Sequence, residues 1–129
     1  MIVVAAAVVE RNGQFLLTRR LQGTHLAGTW EFPGGKCEPE ESPEDCLRRE
    51  IVEELAVDCV VGDRLLVTQH TYPERRVELH FFSASLKGEP VPQLAQEMKW
   101  VPRAELKSLD LPEADADLIA LLSDNRRPD

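Results

Sequence analysis

The sequence predicts an α+β domain in which a mixed β-sheet carries helices packed against it. Two observations support this. Short apolar runs bounded by turn residues recur without a regular strand–helix–strand alternation. One segment, from residue 43 to about 55, switches to a helical period, with Leu47, Ile51 and Leu55 at i, i+4 and i+8. The chain of 129 residues has the length of one domain able to bury a single core. Residues 1–129 read as one unit, with no linker, repeat or low-complexity stretch.

Taken in order, residues 2–9 form a buried strand that turns at Asn12-Gly13 into a second over 14–19, a hairpin signal. A loop through Gly23 and Gly28 leads to a short strand at 30–32. Pro33-Gly34-Gly35 marks a tight turn, where glycine lets backbone approach a ligand or present a carbonyl to a metal. Ser42 caps the helix, Pro43 suits its first position, and Glu44 and Asp45 complement the positive end of its dipole. Strands follow at 59–61, 64–71 and 76–86, the last two joined by a turn at 72–75. Another lies at 99–101, a short helix opens at Pro102, and a final helix covers 114–122.

The chemistry gathers on the first helix. Glu50, Glu53 and Glu54 stand at i, i+3 and i+4 and share one face. Like charges at that spacing repel by roughly 0.2–0.5 kcal/mol per pair, so stability alone does not favour them. A hard divalent cation, Mg²⁺ or Mn²⁺, removes the objection. The apolar stripe centres roughly 100° from Glu50, which places the carboxylates at the rim of the core. The plainer reading is an acidic solvent-facing helix with an Arg49–Glu53 pair.

Gly35, Glu41, Arg49-Glu50-Ile51, Glu53-Glu54 and Ala56-Val57 together resemble the Nudix box, G-x5-E-x7-R-E-U-x-E-E-x-G-U with U apolar. Ala56 departs from the box glycine, which serves the helix C-terminus, and predicts a different terminal turn there. Thr18-Arg19-Arg20, His25, Glu31 to Lys36, Tyr72 to Arg75, Trp100 and the tail Leu111-Pro112-x-Ala-Asp115 are similar to the MutT branch of that family. The resemblance implies a Nudix α/β/α sandwich and Mg²⁺-dependent hydrolysis of nucleoside triphosphates, notably 8-oxo-dGTP, to monophosphate and pyrophosphate. Glu50, Glu53 and Glu54, with the Gly34 carbonyl, would hold the metal. Glu41 would pair with Arg49 and orient the ligands. Several relatives recruit a further loop glutamate before the residue matching Trp100; here Leu94 takes its place, leaving Gln96, Glu97 or a water to substitute.

Arg20, Phe32, Arg75 and Asp115 match the MutT nucleotide pocket, with Tyr72 as an apolar wall. Asp115 stands where the 8-oxo-dGTP pattern has asparagine, and an ionised aspartate only accepts hydrogen bonds. That suits the N4 amino group of cytosine or the N1–H and N2 edge of guanine; some relatives with Ala-Asp in this tail prefer CTP or 5-substituted dCTP, and the resemblance implies hydrolysis of these as the alternative. Asp115 as a helix cap and the two arginines as surface charges are the plainer readings. A non-catalytic Nudix-fold binding module is a third function, which loss of box glutamates would mark; all are present.

Charge and composition bound the partners. Fifteen Lys and Arg against 23 Asp and Glu give −8, which argues against duplex nucleic acid as a ligand. No apolar run approaches the ~18 residues that span a bilayer, and the start lacks the features of a signal peptide. A cytoplasmic monomer is expected. Cys37, Cys46 and Cys59 lack metal-ligand spacing and are odd in number, so reduced thiols are expected, with Cys37 an incidental one.

Overall fold

The computed structural model describes residues 1–24, 27–112 and 115–123. His25 and Ala114, both part of the MutT resemblance, lie outside the described residues. Eight strands and two α-helices follow in the order β1 (Ile2–Val8), β2 (Glu10–Arg11), β3 (Gln14–Arg19), β4 (Trp30–Glu31), β5 (Gly34–Lys36), α1 (Pro43–Leu55), β6 (Cys59–Tyr72), β7 (Arg75–Leu86), β8 (Met98–Pro102) and α2 (Ala116–Ser123). A 3₁₀ helix, Arg103–Ser108, stands where a short helix was expected.

The strands form two sheets. The first has the order β5-β1-β7-β6 and is mixed: β1 runs antiparallel to β5 and parallel to β7, and β6 and β7 form a long antiparallel hairpin. The second is built on β3, with β2 and β4 along one edge and β8 on the other, all antiparallel.

This division corrects the expected first hairpin. Asn12-Gly13 does make the turn, both residues at positive φ, but β3 returns on the two residues of β2 and not on β1. The chain changes sheets at Val9. Strand β1 is then free to sit in the middle of the first sheet with both faces covered. Ala5, Ala7 and Val9 join one core with Leu47, Ile51, Leu55 and Phe82; Ala6 and Val8 join another with Phe15, Leu17, Phe81, Leu106 and Leu118. Small side chains at 5–7 let both layers close on the strand. The result is the expected α+β sandwich with a mixed sheet.

Helix α1 has the expected limits. The Ser42 Oγ accepts from the Asp45 N–H at 3.1 Å, and Cys46, Leu47, Ile51 and Leu55 are buried. Its end differs from expectation. Ala56 itself adopts the left-handed conformation (φ 53°, ψ 38°) that the box glycine would take, and its N–H bonds the Val52 carbonyl. The turn is kept and the alanine bears the strain. Residues 59–72 form one strand, not two, with bulges around Arg64 absorbing the irregularity read as a break.

Candidate active site

Where a tight turn was expected at Pro33-Gly34-Gly35, only Pro33 bends the chain, and Gly34 and Gly35 belong to strand β5. Gly34 and Gly35 pair with Ala6 and Ala5 of β1, wedged between β1 and α1. A Cβ on Gly34 would collide with the Ala5 carbonyl and lie 2.8 Å from Ala6 Cα. A Cβ on Gly35 would fall inside the Glu50 carboxyl. Gly34 is therefore required by close backbone approach, whereas a side chain at Gly35 would displace the Glu50 carboxyl.

Arg49 organises the acidic face. Its Nε and Nη2 grip both oxygens of Glu41 at 2.7 and 2.8 Å, its Nη1 reaches Glu53 at 2.7 Å, and Nη2 also donates to the Lys36 carbonyl at 3.1 Å. Glu41 additionally accepts from the Glu38 N–H. The Arg49 fork, followed by that backbone N–H, holds the Glu41 carboxyl down to about 2. Glu41 thus pairs with Arg49, as the sequence led us to expect.

The three box carboxylates differ in their surroundings. Glu53 is 59% exposed and turned toward Arg49. Glu50 lies against Gly35; its Oε2 is buried without a hydrogen-bond partner, Arg49 Nη1 standing 3.6 Å away. Burial pushes its pKa up against the pull of Arg49. Glu54 is deeper still and is pushed up to about 7 by burial and then by Glu31 and Glu50, although the Gly34 N–H and the Thr18 hydroxyl, at 3.4 Å, both donate to it. Among the described residues, no three acidic, histidine or cysteine side chains already close on one point, because Glu53 faces Arg49.

Beside this face opens a cavity lined by Arg20, Phe32, Tyr72, Arg75 and Asp115, together with Gly34 and Gly35. All five residues matched to the nucleotide pocket meet there. Asp115 directly precedes α2 and is 4% exposed. Burial, then Glu31, pushes its carboxyl up to about 7 against Arg20, so near neutral pH a protonated form that donates and accepts stands beside an ionised form that only accepts. Tyr72 tilts against His70 at 4.5 Å between centroids.

Two contributors were given no role in the sequence. Glu31 pairs with Arg20 at 2.9 Å inside the cavity, and Thr18, its cross-strand neighbour, touches Glu54. The signal was faint: Thr18 ends the apolar run Phe15-Leu16-Leu17, and a polar residue buried there needs a partner. The two loop candidates behave differently. Glu97 is 64% exposed and salt-bridged to Arg19 at 3.0 Å, whereas Gln96 is buried, its Oε1 accepting from the Leu94 N–H and its Nε2 without a hydrogen-bond partner.

The family model for the NUDIX domain matches residues 4–121. This chain belongs to the Nudix family. This Nudix hydrolase is 36% identical over 120 residues to the CTP pyrophosphohydrolase of Escherichia coli K12, covering 92% of this chain and 89% of the relative. It is 36% identical over 121 residues to the 8-oxo-dGTP diphosphatase of Haemophilus influenzae, with 92% and 89% covered. The solution structure of the E. coli ORF135 protein superposes with a TM-score of 0.81 at 36% identity, covering 95% of this chain and 86% of that one.

Nudix hydrolases generally use a divalent metal. The residues present fit one. The unpartnered Glu50 Oε2 and the two carboxyls of raised pKa leave negative charge uncompensated on the helix face, the condition a hard cation relieves. None of the helices among the described residues is long and apolar enough to cross a membrane.

Proposed function

We propose that this Nudix hydrolase is a Mg²⁺-dependent nucleoside triphosphate pyrophosphohydrolase that removes oxidised nucleotides such as 8-oxo-dGTP, releasing the monophosphate and pyrophosphate. The observation that carries the reading is continuity. Gly34 and Gly35 line the cavity that holds Arg20, Phe32, Tyr72, Arg75 and Asp115, and Gly35 backs onto Glu50. A base seated among the five places its phosphates over the carboxylate helix. The enzyme acts as a cytoplasmic monomer on free nucleotides, Mn²⁺ substituting for Mg²⁺.

Glu50, Glu53 and Glu54, with the Gly34 carbonyl, would hold the cation. Bound Mg²⁺ supplies a Lewis acid for the phosphate oxygens and lowers the pKa of water toward neutrality. Glu41 holds Arg49, which in turn restrains Glu53 and the Lys36 carbonyl, so the strand and helix keep one geometry during turnover. Phe32 and Tyr72 wall the base, while Arg20 and Arg75 bring positive charge into an otherwise acidic protein. Protonated Asp115 donates to a guanine-type carbonyl and accepts from a ring N–H, as an asparagine would.

A second reading is favoured by the same side chain. Ionised, Asp115 only accepts and suits the amino group of cytosine, which makes CTP or a 5-substituted dCTP the competing substrate. Release of pyrophosphate across normal, oxidised and 5-substituted nucleoside triphosphates with Mg²⁺ tests both. Highest kcat/KM for 8-oxo-dGTP is expected. Highest kcat/KM for CTP would replace the first reading by the second, and no hydrolysis of any triphosphate would reject both.

A further inference from the structure

The reduced thiols expected from the sequence are not what the fold arranges. Cys37 and Cys46 form a disulfide, with Cα atoms 5.2 Å apart, inside the range a bridge requires. Cys37 is the residue after β5, its N–H bonded to the Val3 carbonyl, and it is partly exposed. Cys46 lies in the first turns of α1 and is fully buried. The third cysteine, Cys59, is buried and unbridged, and burial raises its pKa.

The position of the pair sets its consequence. The bridge closes a ring that contains Glu41 and Ser42, and it ties the end of the glycine strand to the helix carrying Glu50. Cys46 sits four residues before Glu50, and its Sγ is 3.6 Å from the Gly35 carbonyl. As a thiol it can donate to that carbonyl; as a bridge it cannot. Oxidation therefore exchanges a weak hydrogen bond for a covalent tie at the strand that packs on Glu50.

We propose that Cys37 and Cys46 form a reversible redox staple that stiffens the glycine strand against the metal-bearing helix. With hydrogen peroxide as oxidant, the Cys37 thiolate attacks one oxygen, the O–O bond breaks, and Cys37 becomes a sulfenic acid as hydroxide leaves and takes up a proton. The Cys46 thiol then attacks the Cys37 sulfur and expels water, forming the S–S bond. The pair loses two electrons, and the peroxide becomes two waters. A dithiol reverses the step by exchange. Cys37 is the entry point because it is reached from solvent, and Cys46 resolves it from within. The bearing on metal binding rests on the cation role proposed above. In a reducing compartment the staple opens, and peroxide, the agent that also oxidises nucleotides, closes it.

The test uses the whole protein treated with peroxide or with dithiothreitol, each reagent then removed. Thiols titrated after denaturation should number one in the oxidised protein and three in the reduced protein, since the chain has three cysteines. The oxidised form should melt about 5–10 °C higher, as closing a loop of this length implies. Its half-saturating Mg²⁺ concentration, read by thermal shift without substrate, should be about two- to tenfold lower because the loop is preorganised. Cys37→Ser should abolish all three differences. Three thiols after peroxide, a cross-link between molecules, or equal melting of the two forms would overturn the staple. Bridge and melting gain without any Mg²⁺ response in either form would uphold the staple and reject the metal assignment instead. Bridge and melting gain with equal Mg²⁺ affinity would overturn its coupling to the site.

Discussion

Asp115 shows how one side chain changes meaning between sequence and fold. In the sequence it is an aspartate in an asparagine position, hence an acceptor; in the fold its carboxyl is 4% exposed, beside Glu31, and titrates at about 7. The sign follows directly. From its ordinary value near 4 up to about 7, the folded state keeps a proton that the unfolded state has released, so stability falls as pH rises through that window and levels off above it. The melting temperature of the ligand-free wild type should therefore fall from pH 5 to 8 relative to Asp115→Asn; parallel curves would place Asp115 in solvent. In catalysis, the ratio of kcat/KM for 8-oxo-dGTP over CTP should drop as pH rises through 7. Asp115→Asn should flatten that profile, lowering CTP hydrolysis about five- to hundredfold while changing 8-oxo-dGTP less, since an amide retains a donor. Equal losses for every nucleotide would reduce Asp115 to a helix cap. On the acidic face, Glu53→Gln should leave the fold intact and cut turnover by about 10²–10⁴. Near wild-type turnover in saturating Mg²⁺ would sink the metal assignment.

At the scale of elements, α1 was the most legible part of the chain. Ser42, Pro43, the apolar i, i+4 stripe and the limits near 43 and 55 follow from local rules, and the fold keeps them. The glycine strand was not legible. Pro33-Gly34-Gly35 carries turn chemistry in isolation, and Gly34 and Gly35 become strand only because β1 offers a free edge on one side and Glu50 fills the space on the other. Gly35→Ala should accordingly displace the Glu50 carboxyl and abolish the Mg²⁺-dependent thermal shift; a full shift would show that the strand gives way cheaply. Ala56 supplies a second test. Left-handed backbone at a non-glycine residue costs about 1 kcal/mol, and Ala56 is exposed with nothing to lose in packing. Ala56→Gly should raise stability by about 0.5–1 kcal/mol, or about 2–4 °C in melting temperature. A lower melting temperature would mean that the left-handed turn is not strained.

For the whole molecule, the sandwich sets an electrostatic problem that the proposed cation would resolve. Layering α1 on the first sheet places Glu50 and Glu54 at the rim of the core, where burial raises both carboxyls, and brings Glu31 from the second sheet close enough to raise Glu54 further. The cation proposed for that face would stabilise the fold by linkage, about 2.7 kcal/mol at a hundredfold excess over Kd. Mg²⁺ or Mn²⁺ should raise the melting temperature of the wild type, and the gain should shrink in the Glu50→Gln, Glu54→Gln double variant. Equal shifts in both proteins would place the bound metal elsewhere.

The sequence by itself determined the first helix, its cap, the spacing of its carboxylates and the Arg49–Glu41 pairing, because all depend on positions a few residues apart or on a motif with a set spacing. It also determined the α+β class and most strand limits, which follow from apolar periodicity. Only the tertiary structure decided which strands pair. The chain changes sheets at Val9, and the parallel neighbour of β1 is β7, 75 residues on in register (Ile2 opposite Val77), on which no local rule bears. It likewise raised the Asp115 and Glu54 carboxyls and brought Cys37 to Cys46. Burial and distance are properties of the packed layers, and the same residues in an extended chain would be an ordinary acid and an ordinary thiol.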